Sequence, residues 1–242
     1  MSLRLEHLEA ARAKVASARR ILALTGAGIS AESGIPTFRG AGGLWRNYRP
    51  EDLASPEAFA RDPKLVWEWY EWRRGLVAAA RPNAGHRALA ALVTRHADLT
   101  LVTQNVDGLH ALAGSPDVIE LHGSLWRTRC SRCGREHEEK RHPLPELPPR
   151  CACGGLERPA IVWFGEMLPP AAWNAAESAA LRCDLILVIG TSSVVWPAAS
   201  LVPLALEEGA VGIEVNPDGT PLSDQLLSLR APAGEVLPDL LR

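Results

Sequence analysis

Lysine is scarce in this chain of 242 residues, which has only Lys14, Lys64 and Lys140, and no run of lysine or arginine forms a basic block. With a formal net charge of −2, nothing in the composition draws the chain to nucleic acid or to an anionic membrane surface. Long apolar runs are missing too. The longest strongly apolar stretch, Leu185 to Ile189, falls far short of the ~20 residues that cross a bilayer. There is no internal repeat and no low-complexity tail. A hydrophobic content of 47% supplies a sizeable core and argues against disorder. The preference for arginine and the 19 prolines fit either genome base composition or a hot habitat, and carry no functional weight. Near the start, Leu5, Leu8, Ala11 and Val15 share one helical face, with Glu6 and Glu9 among the arginines. That pattern is a first helix rather than an acid-poor transit peptide. A cytoplasmic location is the expectation, with a monomer as the default.

The five cysteines are an odd number, four of them in two close pairs and Cys183 apart. This suits a reducing compartment and a metal site better than disulfides. Cys130-x-x-Cys133 and Cys151-x-Cys153 offer four thiolates, the ligand set of a structural zinc ribbon with no open position for chemistry. Gly134, Gly154 and Gly155 suit the tight turns such ligands need; free thiols in a loop are the alternative. Cys183 reads as a small buried apolar residue.

Five short apolar runs, Ile21 to Thr25, Leu99 to Thr103, Val118 to Leu121, Leu185 to Ile189 and Val211 to Val215, read as strands buried on both faces. Helical stretches separate most of them, which predicts a doubly wound, Rossmann-like α/β fold with a parallel sheet, its ligands beyond the carboxyl ends of the strands. A Trp-rich stretch and a stretch holding the cysteines break the rhythm. They place a small domain, a helical module plus zinc ribbon, at 42–80 and 126–159, against a nucleotide-binding domain at 1–41, 81–125 and 160–242.

Polar or glycine-rich clusters follow the strands. Thr25-Gly26-Ala27-Gly28-Ile29-Ser30, continuing to Thr37-Phe38-Arg39, has the glycines of a turn that approaches a pyrophosphate. The usual third glycine is displaced, and a ligand-free strand-to-helix turn is the plainer alternative. Thr103-Gln104-Asn105-Val106-Asp107-Gly108-Leu109-His110 carries amides and a carboxylate suited to ribose hydroxyls and a carboxamide, or simply to solvent. His122 in Leu121-His122-Gly123 ends a strand on the same side; a lone histidine is more often structural, but this position favours a proton-transfer role. Gly190-Thr191-Ser192 and Asn216-Pro217-Asp218 complete a set of five.

Taken together, with Val162-Trp163-Phe164-Gly165-Glu166 and the paired cysteines, these segments resemble the sirtuin family, NAD-dependent protein lysine deacylases, from about Ala18 onward. The resemblance implies NAD as co-substrate and acylated lysine side chains of proteins as partners. Gly26 to Arg39 would cover the pyrophosphate, with Phe38 shielding the reactive sugar carbon. Gln104, Asn105 and Asp107 would order the ribose and nicotinamide pocket. Thr191, Ser192, Asn216 to Asp218 and Ala233 would line the adenosine half. His122 would be the general base, assisted by Asn105 and Asp107. Acylated peptide would dock as an added strand at Val162, Phe164 and Gly165. The Cys-x-Cys spacing is shorter than the family's usual pair.

On a helix expected over Pro63 to Ala80, Leu65, Trp69, Trp72 and Leu76 recur on one face, and Tyr70 and Arg73 lie three apart at its edge. Such a pair could grip a carboxylate, though spacing alone favours an arginine lying over an aromatic ring. Within the sirtuins Tyr-x-x-Arg resembles class III members, which remove succinyl, malonyl and glutaryl groups as well as acetyl. A mono-ADP-ribosyltransferase using the same loop, or a catalytically silent NAD-sensing module, are the alternatives. The intact set Asn105, Asp107 and His122 argues against silence.

Overall fold

The computed structural model describes residues 2–38, 49–96 and 98–242; Arg39, expected at the cofactor, lies outside them. Strands form at β1 (Ile21–Thr25), β2 (Leu99–Thr103), β3 (Ile119–Glu120), β4 (Gly123–Cys130), β5 (Glu136–Glu138), β6 (Glu157–Ile161), β7 (Leu185–Ile189), β8 (Val211–Val215) and β9 (Leu227–Leu229). Helices form at α1 (Ser2–Ser17), α2 (Pro50–Leu53), α3 (Pro56–Arg61), α4 (Pro63–Ala79), α5 (Ala84–Arg95), α6 (Leu109–Leu112), α7 (Pro170–Ala180), α8 (Leu201–Glu207) and α9 (Ala233–Leu240). None of the described helices is long and apolar enough to cross a membrane.

Six strands make one parallel sheet in the order β3-β2-β1-β7-β8-β9. Full burial of the central strands β1 and β7 explains why their runs are apolar without alternation, while the short outer strands β3 and β9 are only partly buried. Ile21, Ala23, Leu185 and Leu187 enter a core shared with α1, α5 and α9, while Leu22, Leu24, Ile186 and Val188 enter one shared with α7 and α8. Ala11 and Val15 are buried in the first of these, as the α1 pattern predicted. The short edge strand β9 was not foreseen.

A second sheet, β5-β4-β6, is antiparallel. Its strands β4 and β6 straddle the expected limits at 126 and 159. A third core joins this sheet to α2, α3 and α4, with Leu53, Trp67, Tyr70 and Val77 packed among Leu125, Ile161 and Trp163. Helix α4 starts at Pro63 behind Asp62, whose carboxylate accepts from the Leu65 amide at 3.0 Å, a standard cap with proline at the first helical position.

The buried face of α4 departs from expectation. Trp69 is buried, but Leu65, Trp72 and Leu76 are only partly so, and Val66, Trp67, Tyr70, Glu71, Arg73, Arg74 and Val77 are the buried set. The ribbon packs on this helix as well, enclosing it on more than one side. Arg74, 1% exposed, donates to the carbonyls of Leu125, Glu139 and Arg141 at 2.6, 2.9 and 2.5 Å and pairs with Glu71 at 3.3 Å. A buried guanidinium whose two Nη atoms are bonded in this way, with Nε facing Glu71 but making no hydrogen bond, staples helix to ribbon.

Candidate active site

The strand order reverses between β1 and β7, since the chain moves outward from β1 to β2 and β3 and later returns to the other side of β1. In such sheets the loops leaving the two central strands diverge and leave a crevice at their carboxyl ends. Gly26 to Ser30 leave β1, and Gly190 to Ser192 leave β7. The two loops touch: the Gly28 amide donates to the Gly190 carbonyl at 2.8 Å. A Cβ at Gly28 would lie 2.7 Å from the Gly190 Cα, and one at Gly190, where φ is +59°, would lie 2.3 Å from the Ile29 nitrogen. Close packing of the loops therefore requires these glycines, before any ligand is considered.

The polar residues predicted after β2 knit the same crevice. Ser30 donates to Asp107 at 2.7 Å, and the Asn105 amide donates to the Gly26 carbonyl at 3.0 Å. Gln104 donates from its side chain to Thr191 Oγ1 at 3.0 Å. Asn216 joins from β8, donating to the Thr191 carbonyl at 3.2 Å. Ser30, Asn105, Asp107 and Thr191 are all buried, whereas Ser192, Pro217 and Asp218 are exposed. Burial raises the Asp107 carboxyl above its ordinary range against the hydrogen bonds from Leu109 and Ser30. Ala27, Ser30, Phe38, Arg73, Asn105, Val106 and Asp107 border a cavity of about 20 Å³, room for roughly one water. Ala233 is buried at the start of α9, where Glu32 accepts from the Gly234 amide at 2.6 Å.

His122 stands immediately before β4. Its Nδ1 lies 3.0 Å from the Gln104 carbonyl, and its own carbonyl accepts from the Val162 amide at 3.0 Å. Burial lowers its pKa below the ordinary value. The residue after it has to be glycine: at Gly123, φ is +79° and a Cβ would fall 2.1 Å from the Ala160 carbonyl.

Tyr70 and Arg73 do not lie at an exposed edge; they are 1% and 5% exposed. The Arg73 guanidinium sits 5.0, 4.7 and 5.4 Å from the ring centroids of Phe38, Trp69 and Tyr70. An arginine over aromatic rings is thus present, but in the interior. No carboxylate of the described residues is within ion-pair distance, Asp107 acting on it only from further away, and burial lowers its pKa. In the expected docking segment, Phe164 and Gly165 are exposed and Val162 half-buried. The amides of Val162, Trp163, Phe164 and Glu166 are already bonded to His122, Glu166, Ala54 and Trp163.

The four paired cysteines converge, with their sulfur atoms within 4.8 Å of one another. Cys130 and Cys153 stand 3.5 Å apart and Cys133 and Cys151 3.8 Å. A tetrahedral zinc with bonds of ~2.3 Å holds its sulfurs ~3.8 Å apart, so the cluster fits a structural zinc. The short Cys-x-Cys closes because Gly155 has no side chain: a Cβ there would meet the Cys130 sulfur at 2.9 Å. Cys183 is buried, as expected.

Several residues around the crevice escaped the sequence. His86 is one, and His110, quoted in the motif after β2 but given no role, packs against it at a tilt with ring centroids 4.9 Å apart; His110 Nε2 lies 2.9 Å from Thr25 Oγ1, which donates to Thr103 at 2.8 Å. Burial pushes their pKa values down to about 4 and about 3. Asn83, three residues ahead of His86, is the cap of α5 and could have been found by that pattern. Fully buried Glu214 accepts from Ser223, Ser228 and Arg230 at 2.7, 2.8 and 3.0 Å, tying down the loop after β8.

Fold and site together define a dinucleotide-binding α/β protein carrying a thiolate metal site. A family model described as "Sir2 family" matches residues 26–197, and the chain belongs to that family, the sirtuins. It is 57% identical over 204 residues to an NAD-dependent protein deacylase of Aquifex aeolicus, covering 84% of this chain and 85% of that one. It is 54% identical to an NAD-dependent protein deacylase of Thermus thermophilus, covering 98% and 95%. Among solved structures it is similar to a Sir2 homolog–NAD complex, with TM-score 0.91, 51% identity and coverage of 97% and 92%. A Sir2–p53 peptide–NAD⁺ complex aligns with TM-score 0.82 at 32% identity, covering 96% and 93%.

Proposed function

We propose that this chain is an NAD-dependent protein lysine deacylase that removes acetyl groups and also succinyl and malonyl groups, the acyl group passing from lysine to ADP-ribose with release of nicotinamide. The observation that carries the reading is the imidazole of His122, tethered through Gln104 to the crevice at the reversal of strand order. NAD supplies, when bound, the ribose carbon that receives the acyl oxygen as nicotinamide leaves. The chain's own groups do the rest. Gly26, Ala27, Gly28, Ile29, Ser30, Thr37 and Phe38 would hold the pyrophosphate and nicotinamide ribose; Gln104, Asn105, Val106 and Asp107 would order the sugar and carboxamide. Gly190, Thr191, Ser192, Asn216, Pro217, Asp218 and Ala233 would line the adenosine half. Neutral His122 takes a proton from the ribose diol at Nε2, a role worth ~10²–10⁴-fold in rate for a positioned base.

The acidic-acyl part rests on Arg73. A guanidinium enclosed by three aromatic rings without a paired carboxylate is costly, and the distal carboxylate of a succinyl or malonyl group would supply the counter-charge in a forked contact. An acetyl group supplies none. Peptide would reach Val162, Phe164 and Gly165 largely through backbone carbonyls, because most amides there are engaged. The cluster Cys130, Cys133, Cys151 and Cys153 would hold zinc away from the chemistry, and free thiolates of this kind suit a reducing, cytoplasmic compartment. One parallel assay of acetylated and succinylated versions of a single peptide, with and without NAD, tests the whole reading. Lysine unmasked from both only with NAD is the expected result; addition of ADP-ribose to the acceptor would assign the transferase alternative instead.

A further inference from the structure

Trp163 lies within the expected docking segment, yet its side chain turns inward and is 2% exposed. Its indole Nε1 donates to the Tyr70 hydroxyl oxygen at 2.8 Å. An indole N–H can only donate, so the phenol oxygen must accept, and the phenol's own proton is left for another partner. Burial raises the Tyr70 pKa, so the phenol keeps that proton at neutral pH.

The indole is itself held in one orientation. The Arg158 guanidinium stands 3.3 Å from its ring centroid, and Phe59 packs on it at 5.4 Å between centroids. Glu166 ties the assembly together: it accepts from Arg158 Nη1 and Nη2 at 2.6 and 2.8 Å and from the Trp163 amide at 2.8 Å. Bidentate pairing and a stacked cation are geometrically specific contacts.

We propose that Trp163 is a positioning residue for acyl selectivity, its indole N–H fixing the Tyr70 hydroxyl so that the phenol proton is presented, beside Arg73, to the distal carboxylate of an acidic acyl group. This rests on the acidic-acyl reading above. A carboxylate gains a hydroxyl donor and a guanidinium together; an acetyl methyl has no use for either. Neutral hydrogen bonds of this kind change a rate constant by a few-fold to about tenfold.

The test is a double-mutant cycle on the full-length, zinc-replete protein. Wild type, Trp163→Phe, Tyr70→Phe and the double variant are assayed on succinylated and acetylated versions of one peptide at saturating NAD. Trp163→Phe keeps an aromatic ring and removes the N–H. If the phenylalanine form does not fold, 3-benzothienylalanine at 163 replaces the N–H by sulfur and preserves the shape. The expected result is a fall of about fivefold to tenfold in the succinyl-to-acetyl ratio of kcat/KM, carried by KM, with no further fall when Trp163→Phe is added to Tyr70→Phe, since both remove one interaction. With a wild type that desuccinylates, an unchanged ratio in Trp163→Phe, or losses that simply multiply in the double variant, overturn the role of Trp163. A wild type that turns over the acetylated and not the succinylated peptide overturns the acidic-acyl reading and this proposal with it.

Discussion

His122 Nδ1 donates to the Gln104 carbonyl at 3.0 Å. A carbonyl oxygen only accepts, so the proton of the neutral imidazole sits on Nδ1 and the lone pair on Nε2, the arrangement a general base needs. The same Gln104 reaches Thr191 through its side chain, so the tautomer of the base is coupled to the loop that follows β7.

Burial of that imidazole sets a pH profile. The base works when neutral, and burial holds the His122 pKa below its ordinary value of 6.5. The acid limb of kcat/KM for deacetylation is therefore expected to have its midpoint below 6.5, with a plateau across neutral pH. A midpoint above about 7 would contradict the assignment.

Stability should fall on acidification for a separate reason. His86 and His110 are pushed down to about 4 and about 3 in the folded chain, against about 6.5 unfolded. The unfolded state thus binds the extra protons, and the stabilisation present above pH 6.5 is lost as the pH falls from there toward the folded values, on the order of 3 kcal/mol per site. Urea melts between pH 7 and 4 should show this decline, and a shallower one in His110→Gln. Equal slopes in the two proteins would remove His110 as its source.

Replacing the buried cation separates the substrates. Arg73→Met keeps the length of the side chain and removes the guanidinium, so desuccinylation is expected to drop by about 100-fold or more and deacetylation by far less. Comparable losses on the two peptides would count against a carboxylate partner for Arg73.

Elemental analysis of protein purified without chelator should give one zinc per chain, and Cys133→Ser should lose that metal together with thermal stability. The ribbon shares a core with α4, so the loss spreads to Tyr70 and Trp163. Zinc-free protein that melts like the native form would remove the metal from the fold.

The crevice was legible because its clusters follow apolar runs, fully buried ones where Gly26 to Ser30 follow β1 and Gly190 to Ser192 follow β7, and a half-buried one before His122. The cysteine cluster was legible from spacing, its short pair made workable by Gly155. The orientation of α4 was not: hydrophobic periodicity assumes one buried face, and this helix is enclosed on several. Partners distant in the chain were equally hidden. Arg74 meets the carbonyl of Arg141, 67 residues on, and Trp163 meets Tyr70 93 residues back. Strand β9 is three residues long, too short for any periodicity.

The most direct test of the central claim is mass spectrometry of the products when purified protein is given NAD and an acetylated lysine peptide, run beside His122→Ala. The account predicts equimolar nicotinamide, free lysine peptide and O-acetyl-ADP-ribose from the wild type, and at least 100-fold slower formation of all three from a variant that keeps its zinc and its fold. Full turnover by His122→Ala, or a wild type that releases no nicotinamide, would contradict it.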